Sequence, residues 1–136
     1  MDQWSKVHVW VGINNESEEQ FNKYFELDYS DPDMDIDDPS YKVCQFCEDI
    51  NKRWYDEDFF GVFIPEEYPQ LVDVDKLLEE LNVSEETLTK IKNICISKGF
   101  EKANTIFYYH DPEITVKDKG KLYNGLVYIG KFDTDY

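Results

Sequence analysis

The chain has 136 residues, enough for one domain and too few for two of ordinary size. Hydrophobic residues make up 41% and aromatic residues 16%, which supplies a core and excludes a disordered chain. Thirty acidic side chains against 14 basic ones leave a formal net charge of −16, which disfavours nucleic acid and anionic membrane surfaces as partners.

Lys6 to Gly12 alternates, with Val7, Val9 and Val11 on one side and His8 and Trp10 on the other, so a strand is expected. Asn14-Asn15 is a turn. Ser17 with Gln20 three residues on has the form of a capping box, and Phe21, Tyr24 and Phe25 carry the helix to about Leu27. The stretch from Asp28 to Ser40, broken by Pro32 and Pro39, reads as a loop. A second helix is expected from about Pro39 to Asn51, capped by Ser40, with Val43, Phe46, Cys47 and Ile50 as its stripe. Phe59 to Ile64 is short, aromatic and β-prone, and Pro65 ends it.

Two helices follow. Asp73 caps one, with Val74, Leu77, Leu78 and Leu81 inside. Ser84 caps the other, with Glu85 and Glu86 in its first turn, Leu88, Ile91 and Cys95 inside, Lys98 in its last turn and Gly99 as its stop. Asn104 to Tyr109 is a strand. Asp118-Lys119-Gly120 turns into a longer strand, Lys121 to Phe132, loosened by Gly125 and Gly130. The order β-α-α-β-α-α-β-β fits one α+β domain over residues 1–136: an antiparallel or mixed sheet with about four helices packed on it.

No basic n-region opens the chain. The longest apolar run, near Phe59 to Ile64, is far short of the roughly 20 residues that span a membrane. Cys44, Cys47 and Cys95 are an odd count and read as reduced thiols of a cytoplasmic protein.

The charge is lopsided. Residues 1–80 carry 22 acidic and 6 basic side chains, and residues 81–136 carry 8 of each, so the whole imbalance lies in the first part. Its densest piece runs through Asp28, Asp31, Asp33, Asp35, Asp37 and Asp38, followed by Asp56-Glu57-Asp58 and Glu66-Glu67. Asp31-x-Asp33-x-Asp35 opens like a calcium loop, but Ile36 stands where the turn glycine belongs and Lys42 where the bidentate Glu belongs. Cys44-x-x-Cys47 has no second ligand pair for zinc. A redox reading wants the pair at a helix N-terminus, whereas the pattern places it within a helix, as small core residues. His8 and His110 accompany no nucleophile motif, and the six glycines are scattered singly, without a phosphate loop. No cofactor, metal or catalytic residue is therefore expected.

What remains is recognition. Acidic residues interleaved with Tyr29, Tyr41, Trp54 and Tyr55 suit an interface for a basic protein. The competing reading puts Trp54 and Tyr55 in the core, and for Trp54 the core reading is the stronger.

Several segments together resemble the immunity protein 22 family. They are the strand Lys6-Val7-His8-Val9-Trp10-Val11-Gly12, the Ser17-Glu18-Glu19-Gln20-Phe21 helix with Tyr24-Phe25, the acidic Asp28-Tyr29, then Gln45-Phe46-Cys47 and Trp54-Tyr55-Asp56-Glu57-Asp58-Phe59. The resemblance covers the first half best. It implies a bacterial immunity protein of a polymorphic-toxin or contact-dependent system, cytoplasmic and non-catalytic, that binds one cognate toxin domain. Many such toxins are nucleases, basic where they hold nucleic acid, and an acidic inhibitor suits them. The partner-binding residues expected are Asp28, Tyr29, Asp31, Asp33, Asp35, Asp37, Asp38, Trp54, Tyr55, Asp56, Glu57 and Asp58, on a monomer or weak homodimer. The alternatives are an acidic adaptor that mimics nucleic acid and binds several basic proteins, and a carboxylate-based metal-dependent enzyme.

Overall fold

The computed structural model describes residues 5–27, 38–39, 42–116 and 120–134. Strand β1 (Lys6–Gly12) forms as its alternation predicts, and it lies in the middle of the sheet. It pairs antiparallel with β5 (Thr105–His110) on one edge and with β7 (Leu126–Asp133) on the other. Strand β2 (Phe60–Phe63) extends the sheet beyond β5, and β6 (Leu122–Tyr123) extends it beyond β7. The five-stranded order is β2-β5-β1-β7-β6, antiparallel throughout.

Both faces of this sheet are buried. Val7, Val9, Val11, Ile106 and Ile129 point into one apolar cluster, shared with the helices α3 (Val74–Leu78) and α4 (Glu85–Ser97). Trp10, Phe107, Tyr109, Leu126 and Tyr128 point into the other, under α1 (Glu18–Lys23) and α2 (Gln45–Asp49). Trp10 is fully buried there, stacked on Phe107 at 4.7 Å between ring centroids and edge-on to Phe46 at 5.7 Å.

Three of the four expected cap residues, Ser17, Asp73 and Ser84, stand at helix N-caps, Asp73 without a side-chain bond. Ser17 and Ser84 are extended, and each hydroxyl accepts a backbone N–H three residues on, from Gln20 and Thr87, both at 3.2 Å. Gly99 stops α4 as expected. At φ 94° it lets Phe100 N–H reach Cys95 O and its own N–H reach Ile96 O, which is a Schellman ending.

Other boundaries differ. α1 ends at Lys23 rather than near Leu27, because a tighter turn through Tyr24 and Phe25 lets Phe21, Tyr24, Phe25 and Leu27 all enter one cluster. A continued helix would keep Phe21, Tyr24 and Phe25 on one face but turn Leu27 away from it. α2 begins at Gln45, not near Pro39, and its cap is Cys44 rather than Ser40, which lies outside the described residues. α3 stops at Leu78, although Leu81 still reaches the core.

The expected long strand from Lys121 to Phe132 is a hairpin. Asn124 and Gly125 both have positive φ, 54° and 84°, the two-residue turn that Asn-Gly favours. Gly130 lies beside a bulge, where the β1 register shifts between Val9 and Trp10. A two-residue ladder, β3 (Val72–Asp73) with β4 (Lys102–Ala103), was not legible at all.

Buried polar groups tie the layers. Asn104 is fully buried. Its oxygen accepts Asn14 N–H at 2.7 Å, and its amide nitrogen donates to Asn14 O at 2.8 Å and Pro69 O at 3.1 Å. His8 is also buried. A carbonyl can only accept, so Nε2 carries the proton donated to Asp111 O at 3.1 Å, and Nδ1 accepts from the Tyr128 hydroxyl at 2.8 Å. Burial lowers the His8 pKa to about 4, against a backbone bond to Asp111 that opposes it.

His8 therefore stays neutral in the folded chain while the unfolded chain binds a proton below pH 6.5. Its contribution is complete above that pH and declines as the pH falls towards 4, by about 3 kcal/mol in all. Urea denaturation at pH 7 and pH 4 should show this loss in the native chain relative to His8→Gln, whose stability difference between the two pH values lacks this component.

Candidate partner-binding face

The connector between α2 and β2 is held from below and exposed above. Tyr55 is only 3% exposed, and its hydroxyl donates to Phe25 O at 2.6 Å. Its ring meets Phe46 edge-on at 5.2 Å. One residue on, Asp56 N–H donates to the Tyr109 hydroxyl at 3.0 Å, and an Asp56 carboxylate oxygen accepts Asp58 N–H at 3.0 Å. That second bond caps a single 3₁₀ turn, Glu57–Phe59, which leads into β2. With Tyr55 and Asp56 pinned, Trp54, Glu57 and Asp58 face outward.

Two expectations are corrected here. Tyr55 is a core residue and offers no anchoring surface, because its ring fills the aromatic cluster and its hydroxyl satisfies a buried carbonyl. Trp54, for which the core reading was the stronger, is 37% exposed, since neighbours on a pinned extended connector point to opposite sides. Asp38 is exposed as well, and Arg53 donates to its backbone oxygen at 2.8 Å, which brings it near the connector. Asp28, Tyr29, Asp31, Asp33, Asp35 and Asp37 lie outside the described residues, as does Tyr41.

Sequence reasoning missed the groove beside the connector. It encloses about 460 Å³ and is lined by Phe25, Leu27, Tyr55, Phe60 and Val62, with Glu57 among its polar walls. Along it runs β2, which among the described residues pairs with β5 alone and so leaves one row of backbone groups open. Gly61 keeps β2 flat against its neighbour: a Cβ there would lie 2.4 Å from the Tyr108 ring. The β-prone run Phe59 to Ile64 signalled a strand but carried no sign that it would lie at an edge.

Cys44 and Cys47 lie elsewhere from their expected position. Cys44 is the residue before α2, not within a helix, and its sulfur accepts Cys47 N–H at 3.4 Å. Among the described residues no group of three or more His, Cys, Asp or Glu is arranged to hold a metal ion, and no helix is long and apolar enough to cross a membrane.

A family model for Immunity protein 22 matches residues 7–135. The chain belongs to the immunity protein 22 family. No curated protein and no solved structure gives a significant match. A member of the immunity protein 22 family has a toxin-neutralising role, and the family is generally non-catalytic. In this immunity protein 22 member, Trp54, Glu57 and Asp58 are exposed close to the edge strand β2.

Adjacent aromatics should respond differently to substitution. Tyr55→Phe leaves the Phe25 carbonyl without its donor and should cost about 1–2 kcal/mol of stability. Trp54→Ala should cost less than about 1 kcal/mol, since its side chain is partly solvated already. Urea midpoints of both variants check the pair.

Proposed function

We propose that this chain neutralises a basic toxin domain, a nuclease, by covering its phosphate-binding cleft with an acidic face. The observation that carries the reading is the placement of charge. The net −16 lies entirely within residues 1–80, and there Asp38, Glu57 and Asp58 are exposed around a half-exposed Trp54. A nuclease presents Lys and Arg where it holds nucleic acid, so carboxylates compete with phosphates for the same cations. Trp54 and the groove supply the apolar area on which affinity depends, because rim charges set rate and specificity more than strength. The carboxylates of the Asp28 to Asp37 run take part in the proposed binding as well, and the complex forms in the cytoplasm between one copy of each partner.

This mechanism needs no catalysis and no metal. A general acidic adaptor would bind several basic proteins with similar strength, whereas an immunity protein prefers one.

Calorimetric titration of the chain with its paired toxin domain, inactivated, at low and high salt tests the proposal. Tight one-to-one binding that weakens as salt rises is the expected result. Replacing Asp33, Asp35 and Asp37 together with Asn, or Glu57 and Asp58 with Gln and Asn, should weaken binding about tenfold or more and flatten the salt dependence. Affinity unchanged by either set, at either salt, removes those residues from the interface.

A further inference from the structure

The pair Cys44 and Cys47 has no part in the proposed binding face, yet its geometry is specific. Cys44 is extended (φ −68°, ψ 160°) and Cys47 lies within the first turn of α2, which directs the two side chains at each other. The sulfurs are 3.2 Å apart. A disulfide bond is about 2 Å long, so the sulfurs must approach by about 1 Å to close it. Cys95, the third thiol, belongs to the apolar cluster on the opposite face of the sheet and has neither cysteine as a neighbour there. The topology therefore allows one pairing.

We infer that Cys44 and Cys47 are a dithiol–disulfide couple, oxidised within the folded protein by a small-molecule disulfide such as oxidised glutathione. The two thiols are not equivalent. The hydrogen bond from Cys47, aided by backbone N–H groups, lowers the Cys44 pKa to about 7, while the same contact and burial push Cys47 upward. Near neutral pH a sizeable share of Cys44 is thiolate, the reactive form. Cys44 is also the residue nearer to solvent, 7% exposed against 0% for Cys47. Cys95 is raised to about 11 by burial and is the bystander.

In the first step the Cys44 thiolate attacks one sulfur of oxidised glutathione. The glutathione disulfide breaks, one glutathione leaves as its thiolate, and a mixed disulfide remains on Cys44. Cys47 then gives its proton to solvent, and its sulfur attacks the Cys44 sulfur and expels the second glutathione thiolate. Two protein thiols lose two electrons, one small disulfide gains them, and the protons are taken up by the departing thiolates. The product staples the first turn of α2. That turn carries Phe46, whose N–H donates to Tyr24 O and whose ring touches Trp10, Tyr55 and Phe107.

Mass spectrometry of the folded chain after incubation with oxidised glutathione, acid quench, denaturation and alkylation tests the inference. Both cysteines fall in the tryptic peptide of residues 43–52, between Lys42 and Lys52. That peptide should lose two hydrogens in mass and take no alkyl group, while Cys95 is alkylated. Cys47→Ser should trap a glutathione on Cys44, and Cys95→Ser should leave the result unchanged. A doubly alkylated peptide, a lasting glutathione adduct on the native chain, or a bridge to Cys95 would overturn the inference. The mapping of the native chain stands even if a variant fails to fold.

Discussion

The molecule depends on β1 being buried on both faces and paired on both edges. Few strands of an antiparallel sheet meet that condition, because most leave one face to water. Here the alternation of Val7, Val9 and Val11 with His8 and Trp10 supplies apolar side chains in both directions, with the His8 imidazole hydrogen-bonded at both nitrogens. A one-residue slip would exchange Trp10 for valine on the aromatic side and unpair every layer at once. The bulge at Gly130 preserves the register where β7 needs an extra residue. With both faces of the sheet covered by helices and loops, most acidic side chains of the described residues lie at the periphery and on connectors.

The same aromatic layer sets the candidate binding face. Phe46 lies between Trp10 and Tyr55, and Tyr55 reaches back to Phe25 and across to Tyr109. Tyr109 in turn holds Asp56. This chain of contacts runs from the central strand to the connector, so the outward direction of Trp54, Glu57 and Asp58 is a consequence of packing rather than of loop preference. A preorganised connector loses little freedom on binding, which favours affinity at a given contact area. The acidic side chains also interact little with the core. Asp49 is one exception among the described residues, since its carboxylate takes the Tyr24 hydroxyl, Lys121 and, at 3.1 Å, Gln45. It clamps α2 to α1 and to the segment before β6, and it serves structure rather than recognition.

Much of the fold was legible because its signals are local. The alternation of β1, the Ser17 and Ser84 caps and the Gly99 stop each rest on bonds within a few residues. What was misread depends on distant partners or on competing local signals. Tyr24 and Phe25 bend out of α1 to satisfy a cluster built from later strands. Cys44 caps α2 although serine lies closer to the preferred cap chemistry, and that moved the cysteine pair from a helix interior to a helix start. Asn124-Gly125 was a hairpin signal read as a loosened strand. At the candidate site, composition identified the acidic connector, and the family resemblance to immunity protein 22 agreed with the match over residues 7–135. The inside-outside assignment of Trp54 and Tyr55 was beyond it, because both are large aromatics and only the Phe25 carbonyl and Tyr109 decide which one turns inward. The edge position of β2 was equally hidden, since strand order is a long-range property.

In the proposed complex the chain meets its toxin through the connector and the β2 edge. Hydrogen–deuterium exchange of the chain, free and bound to the paired toxin domain, tests it most directly. Exchange reads the amides of residues 54–63 without any substitution in the core. The account predicts that binding slows exchange in that segment, together with the Asp28 to Asp38 stretch, and leaves α3 and α4 unchanged. Protection confined to α3 and α4, with residues 54–63 exchanging as in the free chain, would contradict it.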